Sequence, residues 1–364
     1  MRHTSLLAVM PEGIGDLTFA SEEWVDHARN VLKAQRSRYA SQLADLEPLT
    51  ICEVGMNPPA YLRCGDRLAW WAHISSGGVD VGCGELPNNE CDFKVTTDHA
   101  VISNIARIQF EGSDPILVAD AQARLQSLAR WETHGGIPEH PALAAALRSL
   151  HDLLGRRTMP RFVFMTPEWV STARHFLTAR ATSEKYADAL RDIVFTFSEE
   201  FTDTPAYAFP DGTHGGFWVH CNRGHLTVGA GPLPAEYEPA DMLTKGAYTP
   251  VVPIGRTVNV AMTGEDLAEL DTYQKAAFRF DKAAGKAPME MSSPSGAGEM
   301  PHALARVFVP LHDELAKRTS GELPADFIEV KENWRRVQAF DRNPSYDANW
   351  LRYDKVDIYG NLRD

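Results

Sequence analysis

Long hydrophobic runs are missing from this sequence. The N-terminal MRHTSLLAVMPEG holds only Leu6 to Met10 as an apolar stretch, shorter than a signal-peptide core. No later segment approaches the roughly 20 apolar residues of a membrane helix, so stable membrane insertion is not expected. Cysteine is scarce. Cys52, Cys64, Cys83, Cys91 and Cys221 make an odd number with no C-x-x-C pair, which argues against a disulfide framework or a structural zinc site. Reduced thiols fit a cytoplasmic protein. Positive charge is short as well: 36 Lys and Arg stand against 49 Asp and Glu, for a net charge of −13. Such a surface repels phosphate backbones, and no basic stripe compensates, so nucleic acid is excluded as a partner. Catalytic signatures are also missing. There is no G-x-S-x-G, no Walker loop and no H-E-x-x-H. Gly82-x-Gly84 and Gly229-x-Gly231 lack the third glycine of a dinucleotide fingerprint and read as strand-end bulges or turns before Leu-Pro. No cofactor is expected.

What is present is written twice. FASEEWVDHARNVLKA from Phe19 matches FMTPEWVSTARHFLTA from Phe164, pairing Trp24 with Trp169 and Arg29 with Arg174. WWAHISSGGVDVGCGELP from Trp70 matches FWVHCNRGHLTVGAGPLP from Phe217, pairing Trp71 with Trp218 and His73 with His220. ALAAALRSLHDLLGRRT from Ala142 matches ALARVFVPLHDELAKRT from Ala303, pairing His151-Asp152 with His312-Asp313. Three matches in the same order imply a tandem of homologous domains. The boundaries are 17–158 and 162–319, with a 1–16 N-terminal segment and a 320–364 C-terminal extension. The spacing before the last block is longer in the second copy by about a dozen residues. DKAAGKAPMEMSSPSGAGEM (281–300) is the place for that insertion and reads as a mobile loop.

Each copy opens with a helix. Ser21 and Thr166 stand at the N-cap, Pro167 at the first helical position, and Glu22, Glu23 and Glu168 in the first turn. Trp24, Ala28, Val31 and Leu32 mark its apolar face. A hairpin follows, turning at Gly77-Gly78 and at Arg223-Gly224. Alternation sets Phe217, Val219 and Cys221 on one face and Trp218, His220 and Asn222 on the other. Trp70, Ala72 and Ile74 likewise oppose Trp71, His73 and Ser75. Each copy closes with a helix, striped by Leu143, Leu147, Leu150 and Leu154 or by Leu304, Phe308, Leu311 and Leu315. The fold class is α+β, with helices laid on one sheet.

The helix opening in F-x-S-x-E-W, the glycine-turned hairpin, CDFKVTTDHAVIS from Cys91, QFEGSDPILVADAQARLQ (109–126) and the closing amphipathic helix together resemble the sterol carrier protein 2 domain. The resemblance covers both copies and rests on hydrophobic pattern and turns. It implies two domains, each a mostly antiparallel five-stranded sheet covered by helices. It also implies an apolar tunnel between sheet and helices that binds a sterol, a fatty acyl chain or an acyl-CoA. The Trp-x-His strand and the extension after Thr319 are departures from the family.

Candidate site residues follow from the duplication. Trp71, Trp218, Trp24 and Trp169 line a tunnel or fill a core. Tyr61 and Tyr207, in PPAY and TPAY, present hydroxyls inward. His73 and His220 are either half-buried histidines with one structural partner, or polar anchors of the cavity and a general acid/base. His151 and His312 border the closing stripe, either packed at the helix edge or facing His73 and His220 across elements. Asp152 and Asp313 do not face the adjacent histidines and read as solvated. His214, His220 and His225 do not make a metal site, since only His220 is mirrored. The second copy, which carries the insertion, reads as the active one. The extension carries seven aromatics, too many for a solvated linker, and is expected to pack across a repeat, between the repeats, or onto a partner chain in a homodimer.

Two leading functions from different classes remain open. One is binding of a hydrophobic small molecule, sterol-like, fatty acyl or aromatic, in one or both cavities. The other is a cofactor-independent lyase, hydratase or isomerase using His220 and His73 as acid and base. An assembly partner with closed cavities is a third.

Overall fold

A computed structural model describes residues 6–58, 62, 64–75, 78–204, 208–209, 215–248, 290–298, 300–308, 311, 315 and 318–320, the side chains of 36, 247 and 320 excepted. The chain divides into two compact units, Met1–Arg161 and Phe162–Asp364.

Unit 1 begins its first helix, α1 (Glu22–Tyr39), at Ser21, whose Oγ accepts the Trp24 N–H at 3.3 Å. That removes one unsatisfied donor of the first turn, and Glu22 and Glu23 sit where the helix dipole favours them. The strands β1 (Leu49–Met56), β2 (Arg67–Ser75), β3 (Gly78–Cys83) and β4 (Phe93–Asp98) follow. Then come α2 (His99–Ile105), α3 (Pro115–Gln126), β5 (Glu132–Gly135) and α4 (Pro141–Arg157). The sheet order is β3-β2-β1-β4-β5. All neighbours are antiparallel except β1 and β4.

Alternation along β1 and β2 sorts the residues by face. Leu49, Ile51, Trp70, Ala72 and Ile74 join Phe19, Trp24, Ala28, Leu32, Leu143, Leu150 and Leu154 in one buried cluster. This is the layer between sheet and helices. Trp24 and Trp70 meet edge-on at 5.0 Å in its middle. The other face carries a smaller cluster of Cys52, Val54, Ala69 and Cys91, with Trp71 and Leu86 against it.

Unit 2 repeats this order. It runs β6 (Phe162–Val163), α5 (Pro167–Ala181), β7 (Val194–Thr202), β8 (Gly215–Asn222), β9 (His225–Ala230), β10 (Met242–Ala247), β11 (Glu290–Ser292), α6 (His302–Phe308) and β12 (Thr319–Ser320). Its sheet order, β9-β8-β7-β10-β11, is that of unit 1, and again only the central pair, β7 with β10, is parallel. The Arg223-Gly224 turn has φ of 52° and 85°, the doubly left-handed backbone of a tight hairpin. The layer under its helices is filled by rings: Phe197 and Phe217 both meet Phe308, and Trp169 meets Phe217 edge-on.

Small details coincide as well. Trp24 Nε1 donates to Thr158 Oγ1 at 2.8 Å, and Trp169 Nε1 to Thr319 Oγ1 at 3.0 Å. Both threonines return a bond to the closing helix, at Leu154 O and Leu315 O. Arg29 and Arg174 each reach a main-chain oxygen of the third strand, Val81 O and Val228 O, at 2.9 Å.

Two expectations need correction. Part of the 281–300 segment is not a loop, since Glu290–Ser292 forms the edge strand β11 against Leu243–Lys245. In unit 1 that edge is taken by β5. Asp152 is not solvated. It is 4% exposed and accepts the N–H groups of Phe110 and Glu111 at 2.7 and 2.8 Å. The carboxylate closes the chain that enters α3, a demand made by a distant loop and invisible in the local pattern. The aromatic extension beyond residue 320 lies outside the described residues.

Candidate functional site

The helix side of unit 1 opens into an apolar cleft of about 70 Å³. Its walls are Leu32, Gln35 and Tyr39 from α1, Leu143, Ala146, Leu147 and Leu150 from α4, and Ile74, Ser75 and Val79 from the hairpin. Ala40, Leu43 and Leu46 close it from the segment after α1. The i, i+3, i+4 spacing on α1 and α4 explains why two helices turn leucine toward one place. One polar atom of a lining residue is enclosed behind it. Gln35 Oε1 is buried and, among the described residues, has no hydrogen-bond partner. Leaving such an oxygen unpaired costs about 1–3 kcal/mol. Neither a histidine nor a carboxylate is among the described residues that line the cleft.

The candidate residues fall in three places. Trp24 and Trp169 are core: 1% and 2% exposed, each tied through its indole N–H to a threonine. Trp71, His73, Trp218 and His220 stand on the sheet face away from the helices, and none of them lines the cleft. His151 is on α4, edge-on to Phe110 at 4.9 Å, with Nδ1 enclosed and unpaired among the described residues. Burial pulls its pKa down to about 4, opposed by Asp152 and by the Ile108 and Ile105 main chain. His73 is bonded to Thr50, so the pairing of His73 with His151 does not form. Tyr61, Tyr207, His214 and His312 lie outside the described residues.

The outer face has its own order, repeated in both units. His73 Nδ1 is hydrogen-bonded to Thr50 Oγ1 at 2.9 Å, and His220 Nδ1 to Thr196 Oγ1 at 2.9 Å. The backbone N–H of each threonine donates to an aspartate, Asp92 or Asp241, at 2.7 Å. Beside each histidine the indole lies flat on a glycine: a Cβ on Gly82 would sit 2.4 Å from Trp71, and one on Gly229 2.2 Å from Trp218. The first glycine of each Gly-x-Gly is thus a close approach rather than a bulge. The second, Gly84 or Gly231, carries the positive φ, at 100° and 82°. In unit 2 the Tyr237 ring stacks on His220 at 4.6 Å and lies 5.1 Å from Trp218. Burial holds the His220 imidazole below its usual pKa, with Asp241 opposing.

Three further groups, His99 and Tyr248 buried and Glu53 half-buried, escape the sequence pattern. His99, at the start of α2, is fully buried; its Nε2 is 3.0 Å from Phe19 O, and Gly55 leaves room for its ring. Tyr248 takes the equivalent place in unit 2 and donates its hydroxyl to Phe164 O at 3.1 Å. A histidine aligned with a tyrosine is invisible to a search for identical residues. Glu53, on the helix side of β1, accepts the Trp70 indole N–H at 2.8 Å, and burial raises its carboxyl pKa while that bond opposes. The signal for it is T-x-x-E, present as Thr50–Glu53 and Thr196–Glu199.

No protein-family model matches the chain. No curated protein matches it. Among solved structures it is similar to a conserved hypothetical protein of Thermus thermophilus, described as possibly a sterol carrier protein. The identity is 17% and the TM-score 0.28, over 41% of this chain and 95% of that one. It is also similar to a crystal structure of sterol carrier protein 2, at 17% identity and a TM-score of 0.26, over 38% of this chain and 97% of that one. Among the described residues no helix is long and apolar enough to cross a membrane.

Proposed function

We propose that the protein binds a hydrophobic small molecule, of sterol, acyl-chain or aromatic type, in the α1–α4 cleft of unit 1. The observation that carries this reading is the cleft itself, an apolar space walled by leucines of α1, α4 and the 40–46 segment. An apolar body suits that lining, because the leucines and the ligand both leave water when it enters. The resemblance to sterol carrier domains in the sequence agrees with it. At about 70 Å³ the cleft is smaller than the ~300–1,000 Å³ of pockets that enclose drug-sized ligands. A sterol-sized ligand therefore enters by parting α4 from the end of α1 and the 40–46 segment.

The test is competition against a fluorescent acyl or sterol probe. Leu147→Trp, with Ala146→Phe as a second block, is expected to weaken probe binding at least tenfold. His73→Ala is expected to leave it unchanged, because His73 is on the other face of the sheet. Equal binding by the blocked and unaltered chains would remove the cleft as the site.

A further inference from the structure

The two outer faces are built alike and finished differently. Thr50, His73, Asp92, Trp71 and Gly82 in unit 1 reproduce Thr196, His220, Asp241, Trp218 and Gly229 in unit 2, contact by contact. In both units the third strand is followed by a single 3-10 turn, Asn88–Glu90 or Ala235–Tyr237, entered from an extended proline, Pro87 or Pro234. The turns close with matching bonds: Glu90 N to Pro87 O at 3.0 Å, and Tyr237 N to Pro234 O at 2.9 Å. The last residue of the turn is Tyr237 in unit 2, where its ring covers His220. In unit 1 that residue is Glu90, whose side chain is exposed. Trp71 is accordingly more open than Trp218, which is 9% exposed. Unit 1 thus keeps the seat for an aromatic ring and, among the described residues, supplies no ring of its own.

We propose that this seat docks a basic polypeptide segment that lays a tyrosine-type ring on His73 and Trp71, in the place Tyr237 takes in unit 2. Energetics favour a polypeptide over a free ring. An aromatic pair adds only about 0.5–1.5 kcal/mol beyond area burial, so a lone phenol on an open face is not retained at physiological concentration. A ring carried by a chain gains from the chain's other contacts. Charge selects the partner. Three exposed carboxylates border the seat: Asp80, opposite His73 in the hairpin, Glu90 and Asp92. In unit 2 the first two of these places hold Thr227 and Tyr237. The three carboxylates of unit 1 attract lysine and arginine, since Arg67 and Lys94 on the same face are held by Glu85. A second copy of this chain, with a net charge of −13, is disfavoured.

The experiment uses the full chain with isotope-labelled tryptophan and histidine side chains, titrated by NMR with the peptide acetyl-Lys-Lys-Tyr-Lys-Lys-amide. The expected result is saturable shifts at the Trp71 indole and the His73 ring. Replacing the peptide tyrosine by alanine is expected to weaken binding at least tenfold, and so is Glu90→Tyr, which closes the seat from within. Tyr237→Ala is expected to open a second seat at His220 that binds more weakly, since Thr227 stands where Asp80 does. No shift at Trp71 and His73 overturns the proposal. So does equal binding of the alanine peptide, which would mean charge alone. Binding of p-cresol as tight as that of the peptide also overturns it, in favour of a small-molecule site.

Discussion

Trp71 and Gly82 show how one missing Cβ shapes a face. The indole rests where a Cβ would be, 2.4 Å from it, and Trp218 rests the same way on Gly229. Neither tryptophan can keep its rotamer against an alanine. Gly82→Ala and Gly229→Ala are each expected to cost about 1–3 kcal/mol, read as a lower urea midpoint, with a shifted indole resonance. An unchanged midpoint together with an unshifted indole would show that the ring does not lie on the glycine. The glycine is visible in the repeat as half of a Gly-x-Gly, but its reason is not. A bulge and a ring's close approach leave the same letter, and only cross-strand register separates them: Trp71 faces Gly82 and Trp218 faces Gly229. Asp152 makes the complementary point. Its letter sits beside a histidine on a helix, while its bonds go to a loop some forty residues earlier.

At the scale of elements, most of the fold was legible. Caps at Ser21 and Thr166, the stripes of α1 and α4, and the two hairpins follow from local chemistry repeated at matching spacing. The edge strand β11 was not legible, because three exposed residues in a Gly- and Pro-rich stretch carry no alternation to read. The cleft was legible only in part. Its leucines belong to predicted stripes, but the space between them depends on how closely two helices approach. The helices also carry a pH dependence. His99 at the head of α2 and His151 within α4 are pulled by burial to about 3 and about 4, with Arg161 also lowering the first. Unfolded, both titrate near 6.5. Between those values the unfolded chain binds more protons than the folded one, so stability falls as pH drops below about 6.5. At ~1.4 kcal/mol per unit for each ring, the loss reaches several kcal/mol by about pH 4. Urea midpoints measured from about pH 7 to about pH 4.5 should fall steadily, and His99→Gln should remove part of the slope. A slope equal in the variant would mean that His99 charges freely in the folded state.

At the scale of the whole molecule, each unit has two unlike faces. One face is roofed by helices, and in unit 1 it keeps an apolar cleft. The insertion points to the second copy, yet among the described residues the cleft lies in the first. The other face carries the duplicated Trp and His, which period-two alternation sets opposite the apolar side. What alternation cannot tell is which side the helices cover. Native mass spectrometry of the gently purified chain, followed by solvent extraction, tests ligand carriage most directly. The account predicts a hydrophobic adduct on the unaltered chain and none on Leu147→Trp. An unaltered chain that is bare and takes up no acyl or sterol probe would contradict it, as would an adduct held equally by both.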